Sequence, residues 1–115
     1  MNLEKQKENV NVLLQLIKEN PELPIVPMVA TECVFDDSHG YWMAEWSKAK
    51  IDKYCVNDDR IYSYNEEFDE LVDDWIDENF ESYERLTDDE LRALAENKIN
   101  NYDWEEAIIV YIENL

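Results

Sequence analysis

The sequence is poor in the residues from which most catalytic and ligand-cradling motifs are made. Its 115 residues include one glycine, Gly40, so no glycine-rich loop can wrap a phosphate. The one histidine, His39, falls in the polar run Asp36-Asp-Ser-His-Gly40, where a turn residue is the simpler reading than a catalyst. There are two cysteines, Cys33 and Cys55. Both fall in predicted strands and read as reduced core thiols, a cross-strand disulfide or a metal pair being the alternatives. No apolar run approaches the roughly 18 residues of a membrane span, and no basic-then-apolar leader opens the sequence. The expected location is therefore the cytoplasm. Basic residues are scarce as well: 10 stand against 29 acids, for a net charge of −19. Such a chain repels phosphates, which excludes direct binding to DNA, RNA or an anionic membrane.

Apolar material is not lacking. Hydrophobic residues make up 45% and aromatics 12%, enough for a packed core, and the length suits a single domain over residues 1–115. The charge is unevenly placed. Residues 1–60 carry 11 acids and 7 bases, a net of −4, whereas residues 61–115 carry 18 acids and 3 bases, a net of −15. Between Glu66 and Glu90 there are 13 acids and one base, Arg85. An asymmetry of this size between halves points to an interaction surface.

Hydrophobic spacing predicts an α+β domain. Leu3, Val10, Leu13, Leu14 and Ile17 mark an N-terminal helix over 3–20, ended by Pro21. Pro21-Glu-Leu-Pro-Ile-Val-Pro27 reads as a stiff, extended connector. Residues 28–64 read as a small antiparallel sheet of three to four strands: Met28–Phe35, a turn ending at Gly40, Tyr41–Ser47, Lys50–Val56, the turn Asn57-Asp-Asp-Arg60, and Ile61–Tyr64. Phe68, Leu71, Val72, Trp75, Ile76 and Phe80 form one apolar stripe on a helix over 66–80, which Ser63 or Asn65 can cap. Thr87-Asp-Asp-Glu90 is a capping box, followed by the stripe Leu91, Leu94, Ala95 and Ile99 and an end near Asn100-Asn101. Ala107–Ile112 is six apolar residues, four of them β-branched, and favours a strand returning to the sheet over a short terminal helix. The two later helices are expected to pack on one face of the sheet.

The helix over 66–80 draws attention through its other face. Glu66, Glu67, Asp69, Glu70, Asp73, Asp74, Asp77, Glu78 and Glu81 give nine acids and no base between 66 and 81. At about 1.5 Å per residue they span roughly 22 Å, about one charge per 2.5 Å. That density lies between a single DNA strand, about one per 3.4 Å, and the duplex, about one per 1.7 Å. Solvated faces usually mix signs, yet here six i,i+4 pairs are acid against acid, a repulsion on the order of 1–3 kcal/mol. Asp77, Glu78 and Glu81 also sit at the helix end that its dipole makes unfavourable for anions. Salt adaptation would have raised acidity across the whole chain. A calcium loop needs a carboxylate pattern with a sharp-turn glycine, which Asp36-Asp37 and Asp58-Asp59 lack. No metal or cofactor site is expected, and with no tuned acid–base pair the chain does not read as an enzyme. Trp42 and Trp46 share one face of a predicted strand; they are core if helices cover that face and interface anchors if they do not.

The run Glu22-Leu-Pro-Ile-Val-Pro-Met-Val29, the segment Gly40-Tyr-Trp-Met43 and the ending Asp103-Trp-Glu-Glu-Ala-Ile-Ile-Val-Tyr-Ile112 resemble small acidic proteins of phages and prophages of low-GC Gram-positive bacteria. Those motifs have no assigned chemistry, so no functional residue carries over. In composition the chain is similar to nucleic-acid-mimicking anti-CRISPR and anti-restriction inhibitors. The resemblance implies a non-catalytic, phage-encoded inhibitor in the cytoplasm of an infected host, acting as a monomer or homodimer. Its partner would be a basic nucleic-acid-binding defence protein, met by Glu66, Glu67, Asp69, Glu70, Asp73, Asp74, Asp77, Glu78, Glu81 and Glu84. The alternative is a phage accessory or assembly protein that binds another protein through an aromatic sheet face.

Overall fold

Along the chain run α1 (Leu3–Glu19), β1 (Ile25–Val29), β2 (Glu45–Asn57), β3 (Arg60–Ser63), α2 (Tyr64–Asn79), α3 (Asp88–Asn100) and β4 (Glu105–Glu113). Short 3-10 turns occupy Thr31–Cys33 and Phe80–Tyr83. The computed structural model describes every residue except Met1, Phe35, His39, Asp58 and Asp59. Its described residues form an α+β fold, three α-helices and a four-stranded mixed sheet in the order β1-β4-β2-β3.

The sheet is mixed where an antiparallel one was expected. β2 pairs antiparallel with β3, with Tyr54 opposite Ser63 and Asn57 opposite Arg60. β1 pairs parallel with β4, from Ile25 opposite Ile108 to Val29 opposite Ile112. A parallel pair needs a long crossover, and the chain between β1 and β4 is long enough to supply it. The first strand begins inside the proline run, at Ile25, and of the expected Met28–Phe35 it keeps only Met28 and Val29. Pro27 has no N–H to give to a ladder, and it is tolerated because β1 is an edge strand. Beyond Val29 the chain turns through Thr31–Cys33, so Cys33 is not in a strand, and Phe35 lies outside the described residues. Tyr41–Ala44 is irregular, and β2 then runs unbroken through Ser47–Lys50, a stretch without Gly, Pro, Asn or Asp. Of the two predicted turns, His39 in one and Asp58 and Asp59 in the other lie outside the described residues. The Asp36 carboxylate accepts the Ser38 N–H at 2.7 Å in a local turn, and hydrogen bonding from the Ser38 side chain first, then its backbone, holds that carboxyl below the usual range.

Contacts divide the chain into two compact units, Met1–Asp52 with Glu106–Leu115, and Lys53–Glu105. In the first, Asn2 caps α1 by accepting the Lys5 N–H at 3.0 Å, and the helix stops at Asn20, before Pro21. Leu13 of α1 packs with Ile108 and Val110 of β4, joined by Leu16, Ile17, Leu23, Ala49 and Ile112. Leu3 and Leu14, expected on this face, are exposed. The phase of the buried stripe follows Leu13, Leu16 and Ile17, which turns Leu14 outward. Ala107–Val110 are all buried, as an inner strand with neighbours on either side requires. The C-terminal strand is thus present, extended to Glu105–Glu113.

In the second unit Leu71 and Val72 of α2 meet Ala95 and Ile99 of α3, flanked by Tyr62, Phe68, Trp75, Ile76, Tyr102 and Trp104. Phe80, expected in this stripe, is half exposed: α2 ends at Asn79, whose φ of −121° and ψ of −7° carry Phe80 off the helical phase. At the other end α2 begins two residues earlier than expected, with Ser63 as its N-cap residue. The Ser63 hydroxyl makes no cap bond; its N–H instead donates to Glu67 Oε1 at 3.4 Å. α3 carries the predicted capping box, with Glu90 N–H donating to Thr87 Oγ1 at 3.2 Å and Thr87 N–H donating to Glu90 Oε1 at 3.1 Å. The Thr87 backbone N–H first, and the Thr87 side chain second, hold the Glu90 carboxyl below its ordinary range. A depressed folded-state value means that the contribution is present at neutral pH and is lost as pH falls through that lowered value. Cys33 and Cys55 are both buried free thiols, and burial with the nearby Glu67 charge pushes the Cys55 thiol up.

Replacing the fully buried Ile99 with alanine is expected to cost about 2–4 kcal/mol of unfolding free energy. Thr87→Ala, which removes only a cap, is expected to cost about 1 kcal/mol. Urea unfolding midpoints read both, and an Ile99→Ala loss no larger than that of Thr87→Ala contradicts the described core.

Candidate acidic interface on the second helix

Eight of the ten sequence-predicted carboxylates lie on α2, Glu81 lies in the 3-10 turn after it, and Glu84 follows that turn. All ten are exposed except Glu67, which is half-buried. The helix turns them outward because its opposite side is committed to Leu71, Val72 and their aromatic neighbours.

The structure corrects the uniform charge read from the sequence. No base lies between 66 and 81, but two arginines from elsewhere in the same unit reach the face. Arg60 of β3 places Nη2 3.0 Å from Glu67 Oε2 and 3.2 Å from Glu70 Oε1. Its guanidinium also lies over the Tyr62 ring, 4.4 Å from the centroid. Arg92 of α3 places Nη1 3.0 Å from Asp73 Oδ1, Nη2 3.8 Å from Asp69 Oδ1 and Nε 3.4 Å from Glu96 Oε1. The Asp73 hydrogen bond, foremost, holds the Arg92 guanidinium above its ordinary value. Half-exposed pairs of this kind contribute little stability singly. Their effect here is to sort the acids: Glu67, Asp69, Glu70 and Asp73 are partly compensated from the two flanks, two positive charges against four negative.

What remains is concentrated at the C-terminal end. Among the described residues Asp74, Asp77, Glu78 and Glu81 have no cation within ion-pairing distance, and the last turn of α2 contains no base. From Asp74 to Glu81 is roughly 11 Å, so about one charge falls every 3 Å. Within α2, the Asp74/Asp77 and Asp74/Glu78 pairs repel by about 0.2–0.5 kcal/mol each. The helix C-terminus opposes the same charges. At that end Asn79 Nδ2 donates to the Trp75 carbonyl at 2.8 Å, the kind of side-chain cap that an acid cannot provide.

The aromatic face expected on β2 is not formed as such. Trp42 precedes β2, is half-buried and donates its Nε1–H to the Asp36 carbonyl at 3.3 Å. Trp46 is on the strand and 44% exposed. Its backbone is tied to α1, with the carbonyl accepting from Asn9 Nδ2 at 3.1 Å and the N–H donating to Gln6 Oε1 at 3.4 Å. Tyr41 and Met43 before it are exposed.

Sequence reasoning missed a groove in the second unit, about 600 Å³, lined by Tyr54, Cys55, Val56, Asn57, Asn101, Tyr102, Asp103 and Glu105. The alternation of Asp103 and Glu105 around Trp104 was its one visible trace. No group of His, Cys, Asp or Glu among the described residues is arranged to hold a metal ion, and no described helix is long and apolar enough to cross a membrane.

Arg92→Ala is expected to lower the melting midpoint at low salt, because it leaves Asp69 and Asp73 repelling across one helical turn. The difference is expected to shrink as salt screens the exposed charges. A midpoint that falls equally at high salt assigns the role of Arg92 to packing instead. Compared with known proteins, the chain matches no family model, no curated protein and no solved structure.

Proposed function

We propose that this protein is a non-catalytic, phage-encoded inhibitor that offers the acidic end of α2 to the nucleic-acid site of a bacterial defence protein. The observation that carries the reading is the separation of paired from unpaired acids. Arg60 and Arg92 flank the face, while Asp74, Asp77, Glu78 and Glu81 stay uncompensated at nearly the linear charge spacing of one DNA strand. A helix anchored by Leu71 and Val72 holds these carboxylates in place before binding, so little ordering entropy is spent on association. Attraction to a basic channel then speeds encounter and makes it sensitive to salt.

A second reading rests on a different observation. Tyr41, Met43 and Trp46 expose apolar side chains close together in sequence, as a protein-docking surface of an accessory or assembly protein would.

A tagged pull-down from bacterial lysate, washed stepwise from low to high salt, separates the two. Mimicry predicts a basic nucleic-acid-binding protein that is released at moderate salt and displaced by added DNA. It also predicts that reversing Asp74, Asp77, Glu78 and Glu81 to lysine abolishes capture with the fold intact. Reversal at Glu70 and Asp73 is the poorer test, because it also breaks their pairs with Arg60 and Arg92. A salt-resistant partner that is indifferent to DNA and lost on Trp46→Ala contradicts mimicry and favours the aromatic surface.

A further inference from the structure

The groove between the end of β2 and the segment leading into β4 has an unusual combination of walls. Tyr54 and Tyr102 supply aromatic rings, Asp103 and Glu105 supply exposed carboxylates, Asn57 and Asn101 supply amides, and no Lys, Arg or His is among the lining residues. The groove's volume, about 600 Å³, is ample for one extended side chain. Tyr54 Oη donates to Glu105 Oε2 at 3.1 Å, which fixes one tyrosine to one carboxylate. Both tyrosine hydroxyls are pushed up, Tyr54 first by that bond and Tyr102 first by burial, so both rings remain neutral π-systems at physiological pH.

Three of the other five tyrosines lie under the chain's own cations. Lys48 and Lys50 lie 4.9 and 5.7 Å from the Tyr111 centroid, Lys53 lies 5.3 Å from that of Tyr64, and Arg60 lies 4.4 Å from that of Tyr62. Among the described residues neither Tyr54 nor Tyr102 has such a cation, although carboxylates stand beside them. Rings and carboxylates side by side suit a cation, and none of the described residues places one in this groove.

We infer that this groove is a binding site for a single arginine side chain of a protein partner. The planar guanidinium can lie on a tyrosine face while its fork of donors meets Asp103 and Glu105, and the amides of Asn57 and Asn101 can accept the donors left over. A lysine ammonium can approach one carboxylate or one ring but does not satisfy both with one rigid plane. The site stands on its own lining and does not depend on the acidic end of α2, so either can fail without the other.

The test is a titration of the ¹⁵N-labelled full chain with N-acetyl-arginine amide, followed by amide chemical shifts, with the lysine and citrulline analogues in parallel. The expected result is saturable shifts at Tyr54, Val56, Tyr102 and Glu105 for the arginine analogue, weaker shifts for lysine and none for citrulline. Asp103→Asn with Glu105→Gln keeps the shape of the groove and is expected to weaken the arginine analogue at least fivefold. Tyr102→Leu is expected to weaken it about two- to fivefold, the worth of one partly exposed cation–π contact. Because Tyr102 also borders the core, the variant's amide dispersion is checked first, and the carboxamide variant serves alone if Tyr102→Leu does not fold. Equal shifts with citrulline or lysine overturn the inference. So do shifts that never saturate, or that appear only at Asp74, Asp77, Glu78 and Glu81.

Discussion

Crowding of like charge on one helix is the constraint around which the second unit is built. α2 carries eight acids on the outward side of a 16-residue helix and no base of its own. Left alone, it would be a poor helix former, since neighbouring carboxylates repel and the last turns carry the sign that the dipole disfavours. It persists because Leu71 and Val72 are buried against Ala95 and Ile99, a gain in apolar burial that outweighs the surface repulsion. Arg60 and Arg92 then relieve the N-terminal and middle acids from the two flanks, and the C-terminal acids remain unrelieved.

That pattern argues for a surface with a purpose beyond solvation. A chain selected for stability alone would place a lysine near Asp77 or Glu78, where i,i+4 pairing and the helix dipole both favour it. Here the last turn of α2 is uncompensated, while a base, Lys98, is placed in the last turn of α3. The contrast between two adjacent helices of one unit shows that the chain uses the favourable arrangement where α2 forgoes it. Retained repulsion of this kind supports the proposed cationic partner, whose charge would relieve it on binding.

Much of the fold was legible in the sequence because it is local. The capping box at Thr87, the stop at Pro21 and the stripes of α2 and α3 are decided within a few residues, and each appears where the spacing places it except for Phe80 at the end of the α2 stripe. The buried run Ala107–Val110 was legible as a strand for the same reason. What failed was non-local. Nothing in Ile25–Val29 announces a parallel partner some eighty residues later, and the three prolines hid a strand that is permitted only because it lies at an edge. The candidate site divides in the same way. Helical periodicity put the carboxylates on one side of α2, but the pairing of four of them with Arg60 and Arg92 depends on β3 and α3 packing beside α2. The groove at Tyr54 and Tyr102 brings together residues about fifty positions apart, which no spacing rule could join.

The most direct test of the central claim is thermal unfolding of the variant with Asp74→Asn, Asp77→Asn, Glu78→Gln and Glu81→Gln beside the unaltered chain, at low and at high salt. The account predicts that the variant melts higher at low salt and that the two midpoints converge as salt screens the remaining charges. A variant that melts lower at low salt, or a gap that does not narrow with salt, would show that these carboxylates stabilise the helix and that the repulsive surface described here does not exist.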